Sequence, residues 1–231
     1  MPFKKRKSQE EETSYWISFS DLMASILIIF ILLFVFSIVN YQQSMSEAQQ
    51  RIQELTSTRI KIITRLQEAF EKQDINIAID TKTGAIKLDE TILFDTDKSE
   101  LKPEGKKFLK KFIPIYLKIL LEDEEIKKEI SQIIIEGHTD NQGGYTYNLR
   151  LSQSRSLSVA EYLLSDNFKY DQKEDLKQYL SINGRSYSEP IINQDGSINK
   201  KASRRVEIKF RLKEEETLSE IQKELDKGLG K

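Results

Sequence analysis

Two aspartates in this sequence stand where a carboxylate has chemistry to do. Asp140 closes the run "QIIIEGHTD" and is followed by "NQGGYTYNLRLSQSRSLSVAEYLL", which carries Arg155. An ionised carboxylate only accepts hydrogen bonds, and a guanidinium only donates them from a planar fork. Side by side they can hold a molecule that bears both an ammonium and a carboxylate, or they can pair with each other and tie a loop to a helix. Asp21 lies instead in "SYWISFSDLMASILIIF". An ionised aspartate near the centre of a membrane helix costs about 2.5–3.5 kcal/mol, less toward the interface. Ile17, Phe19, Leu22 and Met23 flank it, so a permanent charge is costly and reversible protonation becomes a natural use. Ser18 and Ser25 share its helical face and would line a polar seam against a partner. The competing reading is a solvated aspartate at the interface, capping the helix. One aspartate on one helix makes no ion path alone, so an ion-carrying role requires helices from other chains.

The elements around these residues differ sharply. The average composition, 32% charged and 38% hydrophobic with a formal net charge of −1, hides an uneven distribution. Leu22–Val39 is free of charge and extends roughly 27 Å as a helix, close to the hydrocarbon thickness of a bilayer. Tyr15 and Trp16 at its leading edge suit the membrane–water interface. The run is longer than a signal-peptide core and no clear small-x-small cleavage site follows, so a retained span over 15–39 is expected. "KKRK" precedes it, whereas Arg51 and Arg59 are the basic residues that follow closely. That asymmetry places the basic tail, 1–14, in the cytoplasm and the remainder outside, in the inner membrane of the cell.

Beyond the span, 40–74 is rich in helix formers and lacks Gly and Pro. Ile52, Leu55, Arg59, Ile62, Leu66 and Ala69 mark one seam, which Arg59 interrupts. It reads either as an amphipathic helix packed on the next domain or as a parallel self-association helix giving a homodimer. From Ile75 to Leu212 the pattern is that of a compact α+β sandwich. "INIAID" and "AIKLD" read as a hairpin turning at Gly84, and "TILF" as a third short strand. A helix with an Asp/Ser-rich start follows, with Leu101, Phe108, Phe112, Ile115 and Ile119 on its face and Pro114 to kink or end it. Then come a buried strand ending at Asp140, an amphipathic helix, and the strands "YLSING" and "RRVEIKFRL". The tail, 213–231, reads as a solvated helix. The sequence has no cysteine and one histidine, His138, leaving little material for a metal cluster or a Ser-His-Asp triad. No Gly-rich phosphate loop is present, and the balanced charge does not suggest a nucleic-acid partner. No cofactor and no enzymatic activity are expected.

Gly137, His138, Thr139, Asp140, Gly143, Asn148, Leu151, Ser152, Arg155 and Ser156 fall in register with the signature of OmpA-like peptidoglycan-binding domains, which this segment resembles. "ILFDTDKSELKPEG", "INGRSYSEPI" and "SRRVEIKF" are similar to that family's opening strand, Gly-x5-Pro loop and closing strand. Ser203 departs from the family's usual Asn before the paired arginines, which puts the geometry of that loop in question. The resemblance implies that Asp140 takes the ammonium and Arg155 the carboxylate of a stem-peptide diamino acid. It also implies that Asn148 organises the loop and that Thr139, Phe94 and Asp95 line the groove. With the basic tail, the span and the early Asp21, the whole chain resembles the B subunits of ion-driven stator motors, as MotB is to MotA. "YWISFSDLMAS" is closer to the ZorB family of Zorya anti-phage systems than to flagellar MotB. That class implies a dimer inside a pentameric MotA/ZorA-like ring, with Asp21 carrying a proton or sodium ion. A motility stator and a passive OmpA-family wall anchor remain the alternatives.

Overall fold

A computed structural model describes residues 4–213. The tail helix expected beyond Lys213 lies outside the described residues. Helix α1, Lys4–Lys72, has neither Gly nor Pro to interrupt it. The chain divides into two compact units, and the division falls within this helix, between Glu54 and Leu55.

In the first unit every side chain from Tyr15 to Glu47 is exposed. This stretch holds the one helix among the described residues that is long and apolar enough to cross a membrane. Surface as apolar as Ile26–Phe36 is stable only against lipid or other apolar helices. At Asp21 the Ser25 hydroxyl donates to the backbone carbonyl of Asp21 at 2.9 Å, so its proton is spent on the helix and not on the carboxylate.

The second unit is built on a four-stranded sheet of order β1-β4-β2-β3, with β1 Ile86–Asp89, β2 Ile130–His138, β3 Leu180–Gly184 and β4 Arg205–Leu212. β2 is central, antiparallel to β4 and parallel to β3, and β1 pairs antiparallel with β4. Alternation along "RVEIKFRL" sends Val206, Ile208, Phe210 and Leu212 to the core and Arg205, Glu207, Lys209 and Arg211 to the opposite face. Helix α3, Pro103–Leu121, covers the core with Leu109, Phe112, Ile113, Tyr116, Leu117 and Leu120. The last part of α1 adds Ile62, Ile63, Leu66 and Phe70, with Phe70 edge-on to Phe112 at 6.2 Å. Arg59 does not break this packing. Its guanidinium lies over the Phe210 ring at 5.9 Å and donates to the Lys82 carbonyl.

Several local expectations change. "TILF" is not a strand: Asp89 accepts the Thr91 N–H at 2.8 Å and caps a one-turn helix, α2, Glu90–Leu93. Of the expected first strand, only the Ile79–Ile86 bridge forms, although Gly84 does make the turn, at φ 71°. α3 begins at Pro103 rather than at an Asp/Ser cap, and it continues through Pro114. Short helices α4 Glu124–Glu129, α6 Lys173–Tyr179 and α7 Lys200–Ser203 had no distinct sequence signal.

Helix α5, Tyr145–Leu164, lies directly on β2 and β3. A Cβ on Gly137 would stand 2.3 Å from the Ser152 carbonyl oxygen, and one on Gly184 would stand 2.7 Å from the Gln153 nitrogen. The obstacle in both cases is backbone, which cannot rotate away. Gly137→Ala is therefore expected to destabilise the domain by about 3 kcal/mol, the upper end of the overpacking range, as read by chemical denaturation.

Candidate peptidoglycan-binding site

β2 ends at His138 and hands the chain to the loop that carries Thr139 and Asp140. Three contacts fix this loop. The Thr139 N–H donates to the Ser186 carbonyl, the Gln142 N–H to Asp140 Oδ1, and the Asn148 side-chain amide to the Gln142 carbonyl at 2.7 Å. The second is an Asx turn, in which the aspartate uses one oxygen to shape its own loop and keeps the other for a partner.

That other oxygen, Oδ2, meets Arg204 Nη1 at 2.6 Å. Arg204 Nε in turn meets Glu90 Oε1 at 2.8 Å, and Glu90 Oε2 accepts from Arg155 Nη1. The result is an alternating chain, Asp140–Arg204–Glu90–Arg155, in which Asp140, Glu90 and Arg155 are buried. Arg155 Nε donates to the Lys98 carbonyl at 2.9 Å, and its guanidinium lies 5.4 Å from the centre of the Phe94 ring. Asp140 and Arg155 thus share one site without pairing with each other: Asp140 binds Arg204 and Arg155 binds Glu90. Burial raises the Glu90 carboxyl above its ordinary value, against the opposing pull of Arg155 and Arg204. The Asp140 carboxylate, with Glu90 beside it, raises the Arg204 guanidinium.

These groups open onto a cavity of about 290 Å³ lined by Glu90, Thr91, Thr96, Asp97, Thr139, Asp140, Gln142, Tyr147, Asn148, Leu151, Arg155 and Arg204. Thr139 Oγ1 is buried and has no hydrogen-bond partner among the described residues. A buried polar atom left in that state costs free energy until something satisfies it. Of the residues expected at the groove, Asp140, Arg155, Thr139 and Asn148 line this cavity. Phe94 and Asp95 are not among its lining residues. Phe94 is buried beneath Arg155, and Asp95 is exposed near Lys98 at 3.6 Å and Lys102 at 4.0 Å. Glu90 and Arg204 were missed. Arg204 stood in view as one of the paired arginines, whereas Glu90 lay between the two stretches "AIKLD" and "TILF", both read as strands. The loop before Arg204 is held by Ser203, whose buried Oγ accepts the Ile191 N–H at 2.9 Å.

His138 belongs to the far face of the sheet. Its Nε2 lies 3.3 Å from Glu136 Oε1, and neither ring nitrogen makes a well-directed hydrogen bond among the described residues. Glu136, His138 and Glu189 bring ligand-type atoms within 4.8 Å of one another. Lys209 at 2.6 Å and Asn183 at 3.2 Å already engage Glu136, and Arg185 pairs with Glu189, so protein cations neutralise both carboxylates.

The membrane segment and this domain both match known families. Residues 3–54 match the model described as membrane MotB of the proton-channel complex MotA/MotB, and residues 93–205 match the OmpA family. A Zorya protein ZorB from Escherichia coli is 34% identical over 211 residues, spanning 90% of this chain and 84% of that protein. The chain belongs to the ZorB family. A second ZorB, from another Escherichia coli strain, is 28% identical over 221 residues, covering 89% of this chain and 91% of that one. A solved periplasmic domain of MotB covers 67% of this chain and 76% of its own, at 19% identity and a TM-score of 0.43. ZorB membership agrees with the "YWISFSDLMAS" resemblance and prevails over the flagellar and passive-anchor alternatives.

The charged face of the sheet gives an acid signature. Burial alone would raise the Glu136 carboxyl, but His138, Lys209 and Asn183 outweigh it and hold the group at about 2, below the usual 4.5. Its stabilising contribution is complete above about pH 4.5 and is lost as pH falls through about 2. Glu136→Gln is expected to flatten that part of the fall in melting temperature on acidification, measured by calorimetry across the acid range.

Proposed function

We propose that this chain is the wall-anchored B subunit of an ion-driven inner-membrane motor, the ZorB component of a Zorya anti-phage system. One observation carries the reading. A single chain joins a MotB-type membrane segment that includes Asp21 to an OmpA-family domain whose cavity collects Asp140, Arg155, Thr139 and Asn148. The N-terminal tail, 1–14, lies in the cytoplasm, 15–39 crosses the membrane once, and 40–74 leads to the periplasmic domain, 75–212. Two copies stand within a pentameric ring of MotA/ZorA-like subunits.

In this reading the outer domain performs no covalent chemistry. Its cavity holds the diamino acid of a peptidoglycan stem peptide by opposed charge, the ammonium toward Asp140 and the carboxylate toward Arg155. Thr139 Oγ1, buried beside Asp140, supplies a further polar contact. Asp21 binds and releases a proton or sodium ion at the helix surface, and the ring subunits supply the rest of the ion's path. Wall attachment keeps the B subunits from turning, so ion flow drives the ring around them.

Asp21→Asn is expected to abolish protection from phage while leaving co-sedimentation with purified cell-wall sacculi unchanged. Asp140→Ala and Arg155→Ala are expected to lose both. Protection that survives Asp21→Asn but not the cavity substitutions would overturn the motor and leave an anchor.

A further inference from the structure

Resting on the stem-peptide reading of this cavity, the arrangement of Arg155 has a consequence for how a ligand carboxylate reaches it. A guanidinium clamps a carboxylate through two parallel N–H bonds, one from each of two nitrogens. On Arg155, Nε is taken by the Lys98 carbonyl and Nη1 by Glu90. Each two-nitrogen edge of the fork therefore includes an engaged nitrogen. Of the two internal partners, the Lys98 carbonyl is a neutral backbone acceptor, whereas Glu90 presents the same chemical group as the ligand. The pair is also desolvated, with Arg155 3% and Glu90 7% exposed.

We propose that Glu90 is an internal competitor for Arg155, displaced by the ligand's carboxylate and taking up a proton from solvent as it yields. The charges facing Glu90 support the proton. Arg155 comes from α5, Arg204 follows α7, Asp140 belongs to the loop after β2, and Asp97 lines the cavity from the loop after α2. Two cations thus face three carboxylates, Glu90 included. The ligand's ammonium goes to Asp140, but its carboxylate comes to stand beside the Glu90 carboxylate at the same guanidinium, and a proton on Glu90 removes the repulsion between the two. Tyr147 is the other titratable side chain in the lining. Glu90 is suited to this step, since burial already favours its neutral form. It acts through Arg155 and Arg204 and is a positioning residue that sets the pH range and selectivity of capture.

The test is calorimetric titration of the full-length protein in detergent with a stem tripeptide ending in meso-diaminopimelate. Titrations run in two buffers of equal pH and different ionisation enthalpy. The wild type is expected to take up close to one proton per peptide bound, and its affinity is expected to rise as pH falls. Glu90→Gln is expected to bind several-fold more tightly with no proton uptake. The proton count needs no variant, and thermal melting of Glu90→Gln reports whether it folds. Peptide binding by the wild type without proton uptake, or weaker binding by folded Glu90→Gln, would overturn the competitor role and make Glu90 part of the clamp. Failure of both proteins to bind the peptide would overturn the stem-peptide reading itself.

Discussion

The site depends on how closely one helix can approach two strands. α5 carries Arg155 and Asn148, while Asp140 and Thr139 leave the end of β2, so the distance between helix and strand sets the distance between opposed charges. Gly137 and Gly184 remove the side chains that would hold the helix away. Small serines complete the contact. Ser156 Oγ reaches the Asn183 carbonyl at 2.8 Å, and the Ser186 N–H donates to Ser152 Oγ at 3.1 Å. Ser152 and Ser156 of "LSQSRS" thus work as packing and hydrogen-bonding residues at this contact. A larger side chain at either would widen the contact and leave buried backbone groups unpaired.

Given that approach, the charges determine what the cavity can select. A purely cationic pocket would accept any anion and a purely acidic one any cation. The alternating chain Asp140–Arg204–Glu90–Arg155 is nearly balanced, which penalises a ligand of one sign and favours one that carries both. Buried ion pairs contribute little net stability, because desolvating the partners offsets most of their attraction. Four charged residues at one site are therefore better explained by recognition than by holding the fold together.

Sequence made some of this legible and hid the rest for physical reasons. The strands with strong alternation or apolar runs, β2 and β4, and the long amphipathic helices α3 and α5, each carry a periodic pattern that their burial enforces. α2 carries none. "ETIL" has apolar residues suited to a strand, and only the Asp89 cap and the burial of Leu93 bend it into a helical turn. The same bend brings Glu90 into the cavity, so misreading one turn concealed a principal charge of the site. Arg59 shows the opposite case: a charge that breaks a heptad seam instead lies flat on Phe210 with its head group on a carbonyl. Asp140 and Arg155 were found by motif, but their actual partners are set by tertiary contacts from distant segments.

The membrane carboxylate, Asp21, gains little from the residues of its own helix around it. Ser25 is one turn from Asp21, yet its hydroxyl proton is given to the Asp21 carbonyl, as is usual for serine within a helix. The neighbouring side chains at 17, 19, 22 and 23 are apolar and exposed. Among the described residues no side chain donates a hydrogen bond to this carboxylate, and bilayer hydrocarbon offers none. It is tolerable where other helices provide polar contacts or where an ion neutralises it, and the second condition is what binding and release require. Energy from that cycle becomes rotation of the surrounding subunits only if this chain resists turning with them. On the proposed function the cavity holds the wall and supplies such resistance through a few charge-assisted bonds.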